Sequence, residues 1–592
     1  MQTHKRILKK DLLLSTISFD DNGSWVRDSE FFLQLGTGYL LAHGLGERCK
    51  NAKTTFYAEN SGSYHIFAYT YNWVAPWHKD MFPGEFRVVL KEQKGQVLGH
   101  SDSWAWEYAG EFKVDLGENT IELEDLTGFE GRCALLYISK DNVAPNTKGA
   151  EGIKAFYQEK VLSFKEKRVI NTELAIIGGG FAGMCTSLAA ARSGVSCVLV
   201  QDRAIVGGNN SSEVRVWLGG GTNYDPYPGL GNIVGEFEQK KIGHYGPENK
   251  AELYEDDKKM AIIKSQENLT SLFECVLLSS TVSYGQIKEI SVLDYINEEE
   301  IVIKAPLFCD ATGDGNLGAL SGADFEVTTN GHMGASNLWH IEKTSSGKVF
   351  PPAPWAVDLK NVDFPGRGET LDIYNHKREK SLGCWFWESG MTEDPIVYAE
   401  RTRDMNFRAM YGAWDTLKNV DHDYKDWDLV FASAIAGKRE SRRLLGDVVL
   451  TKADFAYSFI DGCIATTWNF DVHYPDKRFY AAFHEGDAFL TMDCREVFPG
   501  PYFLPYRILY SRNIENMFMA GRCASTSHDA SGTVRVMRTG GMMGEAVGYA
   551  ASLCKKYNCL PRDIYTKYLK EYLSLLSSIE KKEVEKVGNT VV

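Results

Sequence analysis

Side chains that can move a proton or hold an oxygen atom gather in two segments of the second half of the chain. They are Arg439, Glu440, Arg442 and Arg443 in GKRESRRLLGD, and His528, Arg535 and Arg538 in the stretch from 520 to 541. A histidine can accept the proton of a hydroxyl group while hydride leaves the carbon, and an arginine can bind a carboxylate or a sugar oxygen through paired hydrogen bonds. We therefore predict His528, Arg442 and Arg535 as catalytic residues.

The same residues also have structural interpretations. The arginines can form a buried ion-pair network that joins domains, and His528 can bond loop backbone. His473 in WNFDVHYPD and His340 in SNLWHIEK are further candidate bases. The sequence has no GxSxG, HExxH or GxxxxGK[ST] motif, and the absence of a CxxC pair argues against disulfide exchange.

A glycine motif, Gly178-x-Gly180-x-x-Gly183, lies between the apolar run ELAII and a helix of small residues, and a second apolar run, SCVLV, follows. Gly178 permits a tight turn, Gly180 lets the backbone approach a pyrophosphate, and Gly183 lets the helix pack closely on the strand. The positive end of the helix favours the phosphate charge. This strand-helix-strand order predicts a Rossmann-like dinucleotide-binding domain. The acid that normally holds the ribose at the end of the second strand is replaced by Gln201. We therefore expect the ribose contact to come from the Gln201 amide oxygen or from Asp202.

Two later segments repeat the pattern of an apolar strand that ends in glycine. In PLFCDATGDG the apolar run is followed by Thr312, Gly313 and Asp314. NMFMAGR ends with Gly521 and Arg522, ahead of a helix rich in small residues. The spacing at 313, 315 and 318 formally repeats GxGxxG, but no full helix and second buried strand follow, so we predict no second dinucleotide fold. The small residues of the later helix let its positive end approach a ligand that carries negative charge, such as a reduced flavin.

These three motifs, in this order, resemble the FAD-dependent oxidoreductases with a glutathione-reductase-type flavin fold. QDRAIVGGNNSSEVRV, GKRESRRLLGDVVLT and AGRCASTSHDASGTVRVMRTGGMMGEAVG are similar to a bacterial subgroup that carries a sandwich domain in front, some members of which are labelled xanthan-lyase-like. The resemblance implies FAD as cofactor. It departs from the family pattern at Gln201 and at Arg522, where an aspartate is usual. The predicted cofactor-binding residues are Gly178, Gly180, Gly183, Gln201, Asp202, Gly207, Gly208, Asn209, Ser211, Thr312, Gly313, Asp314, Gly521, Arg522, Gly540 and Gly541.

Composition limits the partners and the compartment. The 592 residues carry a formal net charge of −14 without a long basic run, which argues against nucleic acid as a partner and favours a small molecule. No run of about 18 apolar residues predicts a membrane span. The twelve cysteines show no metal-ligand spacing and indicate buried thiols in a reducing compartment. We therefore expect no bound metal and a soluble cytoplasmic protein, or a periplasmic one if a leader was trimmed.

The order of patterns predicts the domains. Short alternating runs such as EFRVVL and NTIELEDL predict an all-β sandwich over 1–155, and a carbohydrate-binding-like role is one hypothesis for it. A linker or connecting helix follows over 156–170. The α/β Rossmann-like FAD-binding domain covers 171–325 and 506–592, the latter with a C-terminal helix, and an inserted α+β substrate domain covers 326–505. The tryptophans of the front domain, Trp73, Trp77, Trp104 and Trp106, either stack on sugars or plug the sandwich or its contact with the next domain.

Three functions are consistent with these patterns. The first is oxidation of a hydroxyl of a carbohydrate or a related polar small molecule by hydride transfer to flavin N5. The second is a fumarate-reductase-like reduction of an activated double bond, which requires two or more arginines over the flavin. The third is a flavin-retaining carbohydrate-binding protein. The electron acceptor stays open.

Overall fold

The front of the chain is built from short β-strands. The computed structural model describes residues 6–163, 165–345, 347–483, 487–492, 496–497 and 500–582. The front elements are β1 (Ile7–Leu8), β2 (Asp11–Ser15), β3 (Val26–Asp28), α1 (Phe32–Leu35), β4 (Tyr39–Ala42), β5 (Ala52–Ala58), β6 (Gly62–Thr70), β7 (Phe86–Leu90), β8 (Gln93–Leu98), β9 (Ala105–Val114), β10 (Gly117–Asp125), β11 (Gly131–Ser139) and α2 (Gly149–Tyr157).

These strands form two sheets. One has the order β1-β5-β10-β7-β8, and the other has the order β3-β4-β11-β6-β9 with β2 beside β11. Every second side chain of β5 is buried, as an alternating strand requires. Phe56 and Ile121 from the first sheet and Leu40 and Ile66 from the second belong to one buried cluster. The two sheets therefore pack face to face.

The next segment carries the glycine motif. Its elements are β12 (Arg168–Asn171), β13 (Leu174–Ile177), α3 (Phe181–Arg192), β14 (Cys197–Val200), α4 (Asn232–Phe237), α5 (Asp256–Lys264), β15 (Leu269–Leu272), β16 (Cys275–Ser283), β17 (Gln286–Asp294), β18 (Glu299–Lys304), β19 (Leu307–Asp310) and α6 (Asn316–Leu320). Because α2 begins at Gly149 and β12 at Arg168, both lie across the limits expected for the linker.

The segment that follows has many short strand pairs and one long buried helix. Its elements are β20 (Phe325–Glu326), β21 (Ala335–Ser336), β22 (Trp339–Lys343), α7 (Arg378–Ser381), α8 (Ala399–Asp415), β23 (Trp427–Ala432), β24 (Gly437–Lys438), β25 (Arg443–Leu444), β26 (Gly462–Thr466), β27 (Tyr474–Pro475), β28 (Thr491–Met492) and β29 (Tyr502–Pro505). Its core is rich in aromatic rings, among them Trp339, Trp387 and Trp414.

The chain then returns to the glycine-motif sheet. The closing elements are β30 (Met517–Met519), α9 (His528–Val534), α10 (Met537–Tyr557), α11 (Pro561–Lys567) and α12 (Leu569–Ser578). The parallel sheet has the order β15-β14-β13-β19-β30. Because all its strands run the same way, their carboxyl ends meet at one edge, which is where ligands bind in such folds.

Successive side chains of β13 point alternately into the two layers that cover this sheet. Leu174 and Ile176 face a cluster that includes α3 and α10, and Ala175 and Ile177 face the strands β16 to β18. The helices α3 and α10 touch through small residues, because a Cβ atom on Gly544 would lie 2.2 Å from the backbone oxygen of Ala182. The expected Rossmann-like organisation is thus present.

The front tryptophans are used inside the molecule. Trp73 is fully buried, and the other three are half-buried. The contacts are Trp73 with Trp355, Trp77 with Arg401 and Arg408, Trp104 with Glu400, and Trp106 with Thr147. These are contacts of the structural alternative: Trp73, Trp77 and Trp104 contact the later segment around α8, and Trp106 packs within the front unit.

Buried charges also join the front unit to α8. Arg132 of β11 donates to Asp404 at 3.0 Å and to Glu400 at 2.8 Å. Arg403 of α8 pairs with Asp28 of β3. Because removal of one partner leaves a buried charge, such pairs fix the position of one element against the other.

Among the residues that the structure describes, every helix is too short or too polar to cross a bilayer.

Candidate active site

A cavity of about 420 Å³ opens along the carboxyl edge of the parallel sheet. Its walls include the residues that follow β13, β14, β19 and β30, and the first residues of α3 and α10. The lining from these elements comprises Ile177 to Ala182, Val200 to Arg203, Gly207 to Asn209, Ala311 to Asp314, Ala520 to Arg522, Met537 and Gly540. Four strand ends, far apart in sequence, thus line one site.

One wall of the cavity, which we call the glycine wall, is the bare backbone of Gly178, Gly180, Gly207 and Gly208. Gly178 has φ of +104°, and a Cβ atom there would lie 2.3 Å from the backbone oxygen of Ala311. The loop after β14 joins this wall, because Gly207 donates its N–H to the backbone oxygen of Gly179 at 2.8 Å. A Cβ on Gly208 would lie 3.2 Å from the Cα of Gly180. The gap between the loops therefore stays open only because neither residue has a side chain.

The first turn of α3 faces this open backbone. Gly180 is the N-cap, and Phe181 and Ala182 line the cavity. The first N–H groups of a helix lack partners within the helix and carry positive potential. A bare backbone beside such a helix end fits the pyrophosphate of a dinucleotide.

Gln201, which replaces the usual acid, holds the glycine loop. Its Oε1 accepts from the Gly179 N–H at 2.7 Å, and its Nε2 donates to the backbone oxygen of Ile205 at 3.0 Å. The amide form is required here, because a carboxylate cannot donate the second of these bonds. Asp202 follows directly and also lines the cavity.

Asp314 is the centre of a charge cluster in another part of the cavity wall, at the carboxyl end of β19. It accepts from Lys438 at 2.9 Å, Arg522 at 2.8 Å and Ser441 at 2.7 Å. Burial raises the pKa of Asp314, but Lys438 and Arg522 lower it by more, so the net shift is downward. Arg522, in the position where an aspartate is usual, is thus paired with an acid from the neighbouring strand end.

Aromatic rings form a second part of the cavity, which we call the aromatic chamber. Its members are Trp217, Tyr374, Trp385, Phe386 and Trp468. The Trp217 ring centroid is 5.9 Å from that of Trp385 and 6.1 Å from that of Trp468. The Nε1–H of Trp468 is buried without a hydrogen-bond partner among the described residues. The chamber therefore offers ring faces and a donor to a bound molecule.

A wall of ionisable groups, the charged wall, meets the aromatic chamber at Phe386, whose ring stacks with His473 at 6.2 Å. His473 lines the cavity, and its Nδ1 is 2.6 Å from Glu388 Oε2 while its Nε2 is 3.3 Å from Asp471 Oδ1. Burial lowers the pKa of His473, but Glu388 and Asp471 together raise it by more, so the net shift is upward. His473 thus faces a carboxylate from each ring nitrogen, and the shorter contact is the one between Nδ1 and Glu388.

Two arginines complete the charged wall. Arg439 Nη1 is 3.3 Å from Glu388 Oε1, and Arg535 Nη2 is 3.6 Å from Asp471 Oδ2. Both arginines line the cavity. Burial lowers the pKa of Arg535. The wall can therefore accept a proton at His473 and bind anionic or polar oxygens at the arginines.

Within the described residues, no group of three or more His, Cys, Asp and Glu side chains is placed to hold a metal ion.

A family model described as FAD dependent oxidoreductase matches residues 173–573, which contain the parallel sheet, the glycine wall and the charged wall. The chain belongs to this family. It is therefore an FAD-dependent oxidoreductase, and the predictions of an enzyme and of FAD are confirmed. The bare backbone beside α3 fits that cofactor. The prediction of the xanthan-lyase-like subgroup stays a prediction.

Three solved structures illustrate the similarity. A geranylgeranyl bacteriochlorophyll reductase-like protein of Thermoplasma acidophilum is 10% identical over 69% of this chain and 83% of that chain, with a TM-score of 0.34. Quinol fumarate reductase of E. coli is 11% identical over 69% and 75%, with a TM-score of 0.30. A family 35 carbohydrate binding module of Clostridium thermocellum is 13% identical over 22% and 99%, with a TM-score of 0.19. A search of the curated proteins finds no match.

In this flavoenzyme, the predicted cofactor residues line the cavity, except Gly183, Ser211 and Gly541. Gly183 packs α3 on the glycine loop, since its Cβ would lie 1.8 Å from the backbone oxygen of Gly178. Ser211 donates to the backbone oxygen of Gly208 at 2.7 Å. A Cβ on Gly541 would lie 2.5 Å from Val234. These three residues shape the cavity from behind.

Of the three predicted catalytic residues, only Arg535 lines the cavity. His528 is at the start of α9, and its Nδ1 is 2.8 Å from Glu440 Oε2. The His528 side chain is only partly buried. Arg442 donates to Asn316 Oδ1 at 2.9 Å and lies over the Phe325 ring. Both contacts are with other protein groups, but the partner of His528 is the Glu440 side chain and not the loop backbone that the structural interpretation expected.

The other candidate bases differ in position. His340, in β22, stacks on Phe431 and is not part of the cavity lining, whereas His473 lines the cavity. The sequence analysis missed Glu388 and Asp471. Glu388 is 85 positions from His473, and no local spacing rule links residues so far apart. Asp471 is two positions from His473 in WNFDVHYPD, which is the one signal that was present.

Proposed function

We propose that this enzyme oxidises a hydroxyl group of a carbohydrate or a related polar small molecule by hydride transfer to its FAD cofactor. The observation that carries the proposal is His473, which lines the cavity beside aromatic rings and is oriented by Glu388 at 2.6 Å. FAD, when bound, takes up the hydride that leaves the substrate carbon. The protein must bind the substrate, accept its hydroxyl proton and exclude water.

His473 is the proposed proton acceptor. With Nδ1 held by Glu388, the hydroxyl proton goes to Nε2 of the neutral ring, and the resulting imidazolium lies between Glu388 and Asp471. Stabilisation of the imidazolium is the reason for the raised pKa. The sequence prediction gave this role to His528, which we now assign to the Glu440 ion pair.

Substrate binding is proposed to use the aromatic chamber and the arginines. The faces of Trp217, Trp385 and Trp468 can pack on the apolar C–H face of a sugar ring, and the buried Nε1–H of Trp468 can donate to a sugar oxygen. Arg439 and Arg535 can bind ring substituents or a carboxylate through paired hydrogen bonds. A uronic acid would engage both features.

We further propose the division into domains and the FAD contacts. The two front sheets form the sandwich domain of residues 1–155, and residues 326–505 form the substrate domain that supplies most of the chamber. Because the Gln201 amide is already occupied, Asp202 contacts the adenosine ribose. The other predicted residues of the glycine wall contact the pyrophosphate.

An anaerobic absorbance scan tests the proposal. The purified holoenzyme is mixed with monosaccharides, oligosaccharides, uronic acids and unsaturated carboxylates while the flavin band near roughly 450 nm is followed. We expect bleaching by a saccharide or uronic acid and recovery of a product with one more carbonyl group. If all saccharides leave the band unchanged, the hydroxyl-oxidation proposal fails.

A second function, reduction of an activated double bond, is favoured by one observation. Two arginines, Arg439 and Arg535, line the cavity, and burial lowers the pKa of Arg535, which makes it a better proton donor. In that case the dithionite-reduced enzyme is reoxidised by an unsaturated carboxylate. Arg535→Lys should then slow reoxidation far more than His473→Gln does, and the opposite order supports hydroxyl oxidation.

A further inference from the structure

The front unit supplies part of the FAD cavity. Ser29, Glu30, Phe32, Leu33 and Gln34 line it, although they belong to α1 and to its connection with β3 and lie far ahead of the glycine motif. We propose that α1 binds the adenine of FAD and that Gln34 Oε1 accepts a hydrogen bond from the adenine amino group. The front unit is then part of the cofactor site.

Direct contacts fix this segment against the nucleotide fold. Ser29 donates through Oγ to the backbone oxygen of Asp202 at 3.0 Å, immediately after the end of β14. Glu30 accepts from the Ala436 N–H at 3.1 Å and lies 3.5 Å from Lys438. These bonds tie the segment to the strand end where a ribose contact belongs and to the insertion.

Apolar packing holds α1 at the same place. Phe32 is buried in a cluster with Val276 and Leu278 of β16, and Val276 and Leu277 line the cavity beside it. Phe32 and Leu33 of α1, together with Val276 and Leu277 of β16, therefore make this part of the cavity wall apolar. Such walls match the flat faces of a purine.

Gln34 contributes an unused acceptor to this wall. Its Nε2 donates to the backbone oxygen of Ile396 at 3.1 Å, which defines the orientation of the amide. Its Oε1 is buried and has no hydrogen-bond partner among the described residues. A buried acceptor without a partner destabilises the protein, because its desolvation is not offset by a hydrogen bond. A donor on a bound ligand removes that destabilisation.

Adenine is the part of FAD that supplies such a donor here. The pyrophosphate belongs beside the first turn of α3, and the reacting ring belongs with the aromatic chamber, where the charged wall is. The remaining wall, beside Asp202 and Val276, is the one to which α1 belongs. Adenine has an exocyclic amino group that donates two hydrogen bonds, and its deaminated analogue has a carbonyl oxygen at that position, which only accepts.

The test compares FAD with flavin hypoxanthine dinucleotide, in which a carbonyl replaces the adenine amino group. Dissociation constants for the full-length apoprotein are measured from quenching of flavin fluorescence. We expect the wild type to bind FAD roughly tenfold more tightly than the analogue. In Gln34→Leu this ratio should fall to about two or less, whereas the control Gln93→Leu, in β8 and remote from the cavity, keeps the wild-type ratio.

Two results overturn the proposal. One is equal affinity of the wild type for the two dinucleotides, which needs no variant. The other is a wild-type ratio that survives Gln34→Leu, since another acceptor then reads the amino group. If Gln34→Leu does not fold, Gln34→Ala replaces it, with Gln34→Glu beside it. The carboxylate keeps the acceptor, so Gln34→Glu should retain the preference for FAD and Gln34→Ala should lose it.

Discussion

The glycine wall and the charged wall of the same cavity are built on opposite principles. The glycine wall is backbone from short segments, and it works because side chains are absent at Gly178, Gly180 and Gly208. The charged wall consists of side chains from separate parts of the chain, and it works because His473 and Glu388 are present and paired. Added atoms should therefore damage the first wall, and removed atoms should damage the second.

The two regions also treat buried charge differently. In the charged wall, each carboxylate faces a histidine and an arginine. In the flavin fold, Glu545 of α10 is fully buried and accepts backbone N–H groups, among them those of Gly231 and Val234 at 3.1 Å. The carboxylates of the charged wall are thus paired with cations, whereas Glu545 is held by backbone N–H groups.

The largest expected effect is an added atom behind the glycine wall. In Gly183→Ala the new Cβ would meet the backbone oxygen of Gly178 at 1.8 Å, so α3 must move away from the loop. We expect loss of bound FAD and a destabilisation of about 3 kcal/mol, measured by flavin content and thermal unfolding. Gly500→Ala, whose Cβ meets nothing within 4 Å, is the control. A Gly183→Ala protein that keeps FAD and melts with the wild type contradicts the account.

The next largest effect is expected when the proposed base, His473, is removed from the charged wall. His473→Gln keeps a polar side chain beside Glu388 but cannot accept a proton at neutral pH. We expect flavin reduction by substrate to slow by about 10²-fold or more with FAD content unchanged, measured by anaerobic stopped-flow absorbance. Equal rates in His473→Gln and wild type would remove His473 from the mechanism.

The pairing of His473 with Glu388 predicts a pH dependence. A base must be neutral, and Glu388 raises the pKa of His473 above its usual value despite burial. The reduction rate should therefore fall as the pH drops through that raised pKa. Glu388→Gln removes the charge, so the acid limb should move to lower pH. An acid limb that stays in place in Glu388→Gln assigns the titration to another group.

The contrast between the walls also explains what the sequence could predict. The glycine motif, its strands and the FAD site follow from local rules, because turn, close approach and helix packing involve residues a few positions apart. His473 and Glu388 are 85 positions apart, and Trp217 meets Trp385 and Trp468 only after folding. His528 was preferred because it follows a strand end, yet it contacts Glu440 and does not line the cavity.

The buried acid of the scaffold gives a smaller effect on stability. Burial raises the pKa of Glu545 to about 8, and the unfolded chain has the ordinary value. The folded protein therefore holds this proton more tightly, so stability is lost as the pH rises from about 4.5 to about 8. Glu545→Gln can still accept both N–H bonds and should lose that dependence. Its melting temperature relative to wild type should rise from pH 5 to pH 9, by an amount worth a few kcal/mol at most. A constant difference would refute the assignment.

The smallest expected effects are at the two predicted catalytic residues that lie outside the cavity lining. Arg442→Ala and His528→Asn remove contacts with Asn316 and Glu440 rather than with a ligand. We expect the rate of flavin reduction in each variant to stay within about threefold of wild type once folded protein is equalised. A loss comparable to that of His473→Gln would restore the original assignment of His528.

The most direct test of the proposed hydroxyl oxidation is the rate of flavin bleaching under anaerobic single-turnover conditions with a saccharide and with the same saccharide deuterated at the carbon to be oxidised. Because the account has hydride leave that carbon as the His473 ring takes the hydroxyl proton, it predicts bleaching near roughly 450 nm that deuterium slows. Bleaching at the same rate with both sugars, or no bleaching by any saccharide together with reoxidation of the reduced enzyme by an unsaturated carboxylate, would contradict it.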